Sequence, residues 1–114
     1  MLKAIRGAVC AKCNDKDNIT NATVELFDAV ILSNGLKAED IISVIFTCTK
    51  DINAYNPATA VRLNRGGDFA LMCMQEAEMQ CTLAMCIRIM VLADIREKIT
   101  NCYLGETANL RSEK

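Results

Sequence analysis

Histidine is absent from this chain. Its absence removes the commonest general base at neutral pH, the usual nitrogen ligand of zinc, and every Ser-His or Cys-His nucleophile. Any chemistry here runs on Arg, Glu, Asp, Tyr, Lys or Cys. An excess of basic charge is missing too. Lys and Arg number 13 against 14 Asp and Glu, a net charge of -1, so the electrostatic footprint of a nucleic-acid binder is not there. No apolar run approaches the roughly 18 residues of a membrane span. Met1-Leu2-Lys3 leads into a strand-like segment rather than a leader peptide. A cytoplasmic protein without nucleic-acid or membrane partners is therefore the expectation. Linkers, low-complexity segments and internal repeats are also lacking, and Pro57 is the single proline. The 114 residues suit one domain, 1–114, long enough to bury a core without disulfides or metal.

What the chain does have is cysteine. The seven (Cys10, Cys13, Cys48, Cys73, Cys81, Cys86 and Cys102) make an odd count, whereas a disulfide framework favours an even one. Cys48 and Cys86 lie in apolar runs, where a free thiol behaves as a small hydrophobe. Reduced thiols are expected throughout. Cys10-Ala11-Lys12-Cys13 has redox or zinc spacing, but no second pair matches it and a polar run separates it from the next helix. It is read as incidental, with no metal and no cofactor. Met72, Met74, Met79 and Met85 are read as core filling.

The pattern predicts a small α/β (α+β) domain with a mixed five-stranded sheet and one long helix. Strands are expected over residues 3–10, 41–49, 69–74, 86–93 and 100–106, with 86–93 as the clearest interior strand. Asn14-Asp15-Lys16-Asp17-Asn18 supplies N-cap candidates for a helix. Ile19, Ala22, Leu26, Ala29, Val30 and Ser33 form its buried stripe, and Asn34-Gly35 ends it. Residues 36–40 connect to the second strand. Pro57 suits the first turn of a short helix over 58–63, and Arg65-Gly66-Gly67-Asp68 reads as a turn. One long helix covers at most one face of such a sheet, so a partner chain is expected on the other.

The informative residues are polar ones in apolar strands. Arg88 lies in Cys86-Ile87-Arg88-Ile89-Met90-Val91-Leu92, on one face with Cys86, Met90 and Leu92. An unpaired guanidinium buried there costs several kcal/mol, so it needs a carboxylate. That carboxylate is either Glu76 or Glu78 in a structural ion pair, or a ligand's, which a guanidinium grips in two-pronged fashion. Arg6 repeats the pattern, followed by Gly7, which permits close backbone approach. Glu76 is expected just past a buried strand, and Tyr103 offers a phenol. Two arginines, a glutamate and a tyrosine from four segments outline a pocket for a small dianion bearing a hydroxyl.

Ala4-Ile5-Arg6-Gly7-Ala8, Asn56-Pro57-Ala58-Thr59-Ala60-Val61-Arg62, Cys73-Met74-Gln75-Glu76, Cys86-Ile87-Arg88-Ile89-Met90-Val91, and Tyr103-Leu104 through Leu110-Arg111 occur in this order. Together they resemble the monofunctional chorismate mutases of the AroH class, from the first strand to the tail. The resemblance implies a homotrimer in a pseudo-α/β-barrel arrangement, with active sites at the subunit interfaces. It implies the Claisen rearrangement of chorismate to prephenate in the shikimate pathway of aromatic amino-acid biosynthesis. Such a pericyclic step needs no base, nucleophile or metal, which agrees with the missing histidine. It needs a compact substrate conformation and positive charge at the ether oxygen as its bond breaks.

By the same resemblance, Arg88 is the cation at the ether oxygen, Arg6 grips the side-chain carboxylate and Glu76 accepts from the ring hydroxyl. Cys73 lies beside Glu76, and Tyr103 donates to a substrate carboxylate. Arg62 stands near the entrance, Ala58 and Leu110 form pocket wall, and Arg111 is a tail arginine. Asn56 stands where the family usually has phenylalanine and Thr59 where lysine is common. Ser112 replaces a usual proline, and the connection from Arg88 to Tyr103 is short. Asn56 and Thr59 favour an alternative: a non-catalytic trimeric binding protein or regulatory subunit for a carboxylated metabolite.

Overall fold

The computed structural model describes residues 1–80 and 83–109. Its elements run β1 (Leu2–Cys10), α1 (Lys16–Asn34), β2 (Ile41–Cys48), α2 (Pro57–Arg65), β3 (Ala70–Gln75), β4 (Cys86–Asp94) and β5 (Cys102–Tyr103). The expected mixed five-stranded sheet is present, in the order β3-β2-β4-β1-β5. β4 lies at its centre, antiparallel to both β1 and β2, while β3 and β5 are parallel edges. The connector after α1 includes a 3-10 turn at Ala38–Asp40.

Local chemistry sets the boundaries. Asp15 caps α1 by accepting from the Asn18 amide at 2.8 Å, four residues ahead of the first buried stripe position, Ile19. Gly35 closes the helix at φ 57°, the left-handed conformation a C′ glycine supplies without strain. Asn56 caps α2 by accepting from Ala58, and Pro57 occupies the first turn, where its missing N–H costs nothing. α2 runs longer than the expected 58–63.

Both helices pack on one face of the sheet. The core joins Ile19, Leu26, Phe27 and Val30 of α1 and Val61 of α2 to the inward residues of β1, β2 and β4. In the α1 stripe, Ala29 is only half-buried and Ser33 is exposed; Thr23 and Phe27 take the buried places instead. The Asp28 carboxylate receives two hydrogen bonds from Arg65, at 2.8 and 2.6 Å, which clasps α1 to the end of α2.

Three expectations are corrected. The strand expected over 100–106 is two residues long. Beyond Tyr103 the Leu104 amide and the Thr107 hydroxyl both donate to the Ala8 carbonyl, at 2.9 and 2.8 Å. Sharing that acceptor folds the chain into a 3-10 helix, Gly105–Asn109, in place of further ladder. The methionines are not core filling: Met72, Met74 and Met79 are 55%, 46% and 68% exposed, and only Met85 packs against the core. Met72 and Met74 alternate onto the face without helices. β3, which precedes Glu76, is an edge strand and largely exposed, not a buried one.

Candidate active site

The face without helices carries the polar residues singled out in the sequence. Strand alternation places Cys86, Arg88, Met90 and Leu92 of β4 there, since Ile87, Ile89, Val91 and Ala93 enter the core. Arg88 stands opposite Ala8 on β1 and Thr47 on β2. Ala8 in turn pairs with Tyr103 on β5. Arg6 lies opposite Met90, so it is the diagonal neighbour of Arg88, about 7–8 Å away between backbones. Two strand spacings, about 10 Å, separate Arg88 from Tyr103. The span suits a small ligand.

Gly7 makes this arrangement possible. A Cβ there would strike the Cys102 carbonyl oxygen and come within 3.1 Å of Leu26. Only glycine lets β5 pair so closely and carry Tyr103 to the open face. The Asn101 side chain adds a hydrogen bond, accepting from the Arg6 amide at 2.9 Å.

Arg6, Arg88 and Tyr103 line one cavity of about 400 Å³, together with Thr47, Met74 and Met90. Glu76 joins them through charge. Its Oε1 lies 3.1 Å from Arg88 Nε, with the Glu76 side chain 18% and the Arg88 side chain 42% exposed. The ion pair expected as one alternative therefore exists. Its geometry is not that of an aligned hydrogen bond: Glu76 Oε1 and Arg88 Nε are buried, and neither has a hydrogen-bond partner among the described residues. The pair neutralises charge yet leaves a buried acceptor and a buried donor uncommitted. Both atoms are closed to solvent, so a ligand in the cavity would be met by the terminal N–H groups of the guanidinium and by the second carboxylate oxygen. The Glu76 backbone is held by its amide, which donates to Cys48 O at 2.7 Å.

Cys73 is not in this cavity. It pairs with Phe46, so it alternates away from Met74 and toward the helix side. It lines a second cavity of about 260 Å³ with Cys48, Tyr55, Asn56 and Pro57. Met74 borders both cavities, which adjoin around the edge strand. Ala58, half-buried, and Arg62, exposed, stand on α2. Leu110 and Arg111 lie outside the described residues. Thr47 was missed in the sequence. The alternation Ser43, Ile45, Thr47 in an apolar strand is the signal that would have found it.

The thiols respond to their surroundings. A hydrogen bond from Cys48 holds the Cys73 thiol below the ordinary cysteine range, with burial opposing, and the same contact raises Cys48. Burial pushes Cys86 up to about 11. Cys10 is raised as well, by burial first and then by the charge of Glu106. Among the described residues no cluster of three or more Cys, Asp or Glu is placed to hold a metal ion.

Comparison with known proteins finds chorismate mutases. The family model for chorismate mutase type I matches residues 2–114. The chain is 32% identical over 117 aligned residues to chorismate mutase AroH of Bacillus subtilis, covering 99% of this chain and 92% of that one. It is 29% identical to chorismate mutase AroH of Thermus thermophilus, covering 99% and 96%. A solved chorismate mutase from Clostridium thermocellum superimposes with a TM-score of 0.87 at 39% identity, over 92% of this chain and 96% of that one.

Proposed function

The chain belongs to the type I chorismate mutase family, and on that premise we propose that the open-face cavity is the half-site at which chorismate rearranges to prephenate. The chain is an enzyme of that activity, and the non-catalytic alternative finds no support among its relatives. The observation that carries the site assignment is the open-face cavity of about 400 Å³ lined by Arg6, Arg88 and Tyr103, with Glu76 Oε1 3.1 Å from Arg88 Nε at its side.

Chorismate presents two carboxylates, a ring hydroxyl and an enol-ether oxygen. The rearrangement breaks the ether C–O bond while a C–C bond forms, and negative charge grows on the ether oxygen. Arg88 donates to that oxygen from a central strand held on both sides, so it does not move as charge develops. Arg6 takes one carboxylate from the diagonal position and Tyr103 the other from two strands away, and Glu76 accepts from the ring hydroxyl. Holding both ends of the substrate selects the folded conformer from which the new bond forms. No proton changes hands, so histidine has no role to fill.

The remaining wall comes from a second copy. Cys73 and the Asn56–Pro57 turn lie around the edge strand from Arg88, with Ala58 and Arg62 beyond them on α2. Met72, Met74 and Met90 lie 55%, 46% and 41% exposed on a face that no helix covers. A homotrimer that closes these faces on one another buries the methionines and brings one chain's α2 end to the next chain's arginines. Leu110 and Arg111 complete the site as pocket wall and tail cation. The enzyme works in the cytoplasm; among the described residues no helix is long and apolar enough to cross a membrane.

The test is direct. Purified protein mixed with chorismate should abolish the substrate's ultraviolet absorbance, and sedimentation should give the mass of three chains. The value of kcat should stay level from about pH 6 to 8, where no assigned group ordinarily titrates. Chorismate left unchanged by folded trimer, or a steep limb near neutrality, contradicts the proposal.

A further inference from the structure

Two thiols meet behind the edge strand. Cys48 ends β2 and is buried, while Cys73 on β3 is half-buried, and their Sγ atoms are 3.8 Å apart. Cys73 borders the second cavity, which reaches solvent past the exposed Asn56 and Gln75. The outer sulfur is the one whose thiol is lowered and the inner one the one raised, an asymmetry of attacking and resolving thiol.

We propose that Cys48 and Cys73 form a reversible redox pair, a modification site at which a low-molecular-weight disulfide converts the two thiols to a protein disulfide at the rim of the second cavity. The Cys73 thiolate attacks one sulfur of the small disulfide and expels a thiolate, which takes up a proton. Cys48 then loses its proton, attacks the Cys73 sulfur of the mixed disulfide, and expels the second small thiol. Two protein thiols are oxidised and one external disulfide is reduced to two thiols. The sulfurs must close from 3.8 Å to about 2.05 Å, and because Cys73 pairs with Phe46 and Cys48 with Gln75, the two backbones must also draw together from a diagonal spacing of about 7–8 Å. β3 takes up that movement, because it is an edge strand paired on one side only.

A second pair shows why access decides the matter. Cys10 and Cys86 stand opposite each other on β1 and β4. Cys86 spends both its N–H and its C=O on Thr49, so the pair is of the non-hydrogen-bonded kind, in which side chains lie closest. Its geometry favours a bridge, but Cys86 is fully enclosed and both thiols are raised. Little thiolate is present and no oxidant reaches the inner sulfur.

The disulfide takes the Cys73 thiol out of the cavity wall and ties the edge strand to β2. The effect on turnover rests on the proposal that Cys73 lines the substrate site; the chemistry does not. The test is to incubate the whole protein with glutathione disulfide, alkylate the remaining thiols, and map tryptic peptides by mass spectrometry. Lys50, Arg62 and Arg65 place Cys48 and Cys73 on separate peptides, and because Cys81 and Cys86 share the Cys73 peptide, fragmentation of the crosslinked product assigns the bonded sulfur. The expected product is a crosslinked peptide joining them, reversed by dithiothreitol, with turnover falling in step with the crosslinked fraction. Cys48→Ala should stop at one glutathione on Cys73, and Cys73→Ala should give neither product. A disulfide between Cys10 and Cys86 or any other pair overturns the proposal. So does a Cys48–Cys73 pair that stays alkylatable while the exposed Cys13 is consumed. A crosslink that leaves turnover intact upholds the redox pair and removes Cys73 from the substrate site. An active enzyme with no crosslink overturns the redox pair and leaves the proposed function standing.

Discussion

Ile87 and Arg88 are neighbours in β4 and belong to different halves of the molecule. Ile87 is fully enclosed between the sheet and α1, among residues whose only business is packing. Arg88, one residue on, points to the opposite face, where its Nε is buried beside Glu76 and the rest of its side chain opens into a cavity. The face with helices is finished within a single chain. The face without them carries exposed methionines, a charge pair with unmet hydrogen bonds, and every group assigned to the substrate half-site. A sheet one residue thick separates stability from chemistry, and substitutions should separate in the same way.

The largest effect on folding is expected at Ile87. Ile87→Ala removes fully enclosed core volume and should cost about 2–5 kcal/mol in denaturant unfolding, with kcat of the folded fraction preserved. Gly7→Ala comes next and crosses the divide. The new Cβ strikes the Cys102 carbonyl, so β5 must shift and take Tyr103 with it. Overpacking of this kind costs about 1–3 kcal/mol, and KM for chorismate should rise as well. A Gly7→Ala enzyme with unchanged KM would show that Tyr103 does not hold substrate.

The smallest effect belongs to the covered side's one charged clasp. Asp28→Asn removes the paired hydrogen bonds with Arg65, whose side chains are 36% and 42% exposed, so the loss should be no more than about 1 kcal/mol. The Arg65 guanidinium holds the Asp28 carboxyl below its ordinary value, with partial burial opposing. Its folded pKa is therefore below the unfolded one. The contribution is present above the unfolded value and fades as pH falls through the folded one. The stability gap between wild type and Asp28→Asn should accordingly narrow below about pH 4.

Much of this division was legible in the sequence. Alternation in residues 86–93 separated Arg88, Met90 and Leu92 from the core face, and the single long helix implied that one face lacked cover. What alternation cannot say is which face the helices choose, and that is why the methionines of β3 were assigned to the core. Cys73 and Glu76 stand three residues apart in one motif, yet the pleat sends Cys73 to the second cavity and the end of the strand releases Glu76 toward Arg88. The last strand was overread because its competitor is not local. The Ala8 carbonyl, nearly a hundred residues away in sequence, accepts the Thr107 hydroxyl beside the last ladder bond from Leu104, and the chain turns into a 3-10 helix there. Thr47 escaped notice because a threonine in a β-branched run is unremarkable until its strand partner is known to be Arg88.

The measurement that tests the central claim most directly is the pairing of unfolding and turnover for Arg88→Ala. The account predicts that kcat for chorismate falls by about 10²–10³, equivalent to about 2.7–4 kcal/mol at the transition state. Denaturant stability should fall by no more than about 1–3 kcal/mol, the cost of leaving the largely buried Glu76 carboxylate without its counter-charge, since no packed volume goes with the side chain. Lysine in its place should restore only part of the rate, since a point charge lacks the planar fork. An Arg88→Ala enzyme that unfolds far more easily but turns over within about tenfold of wild type would make the arginine a structural residue and contradict the account.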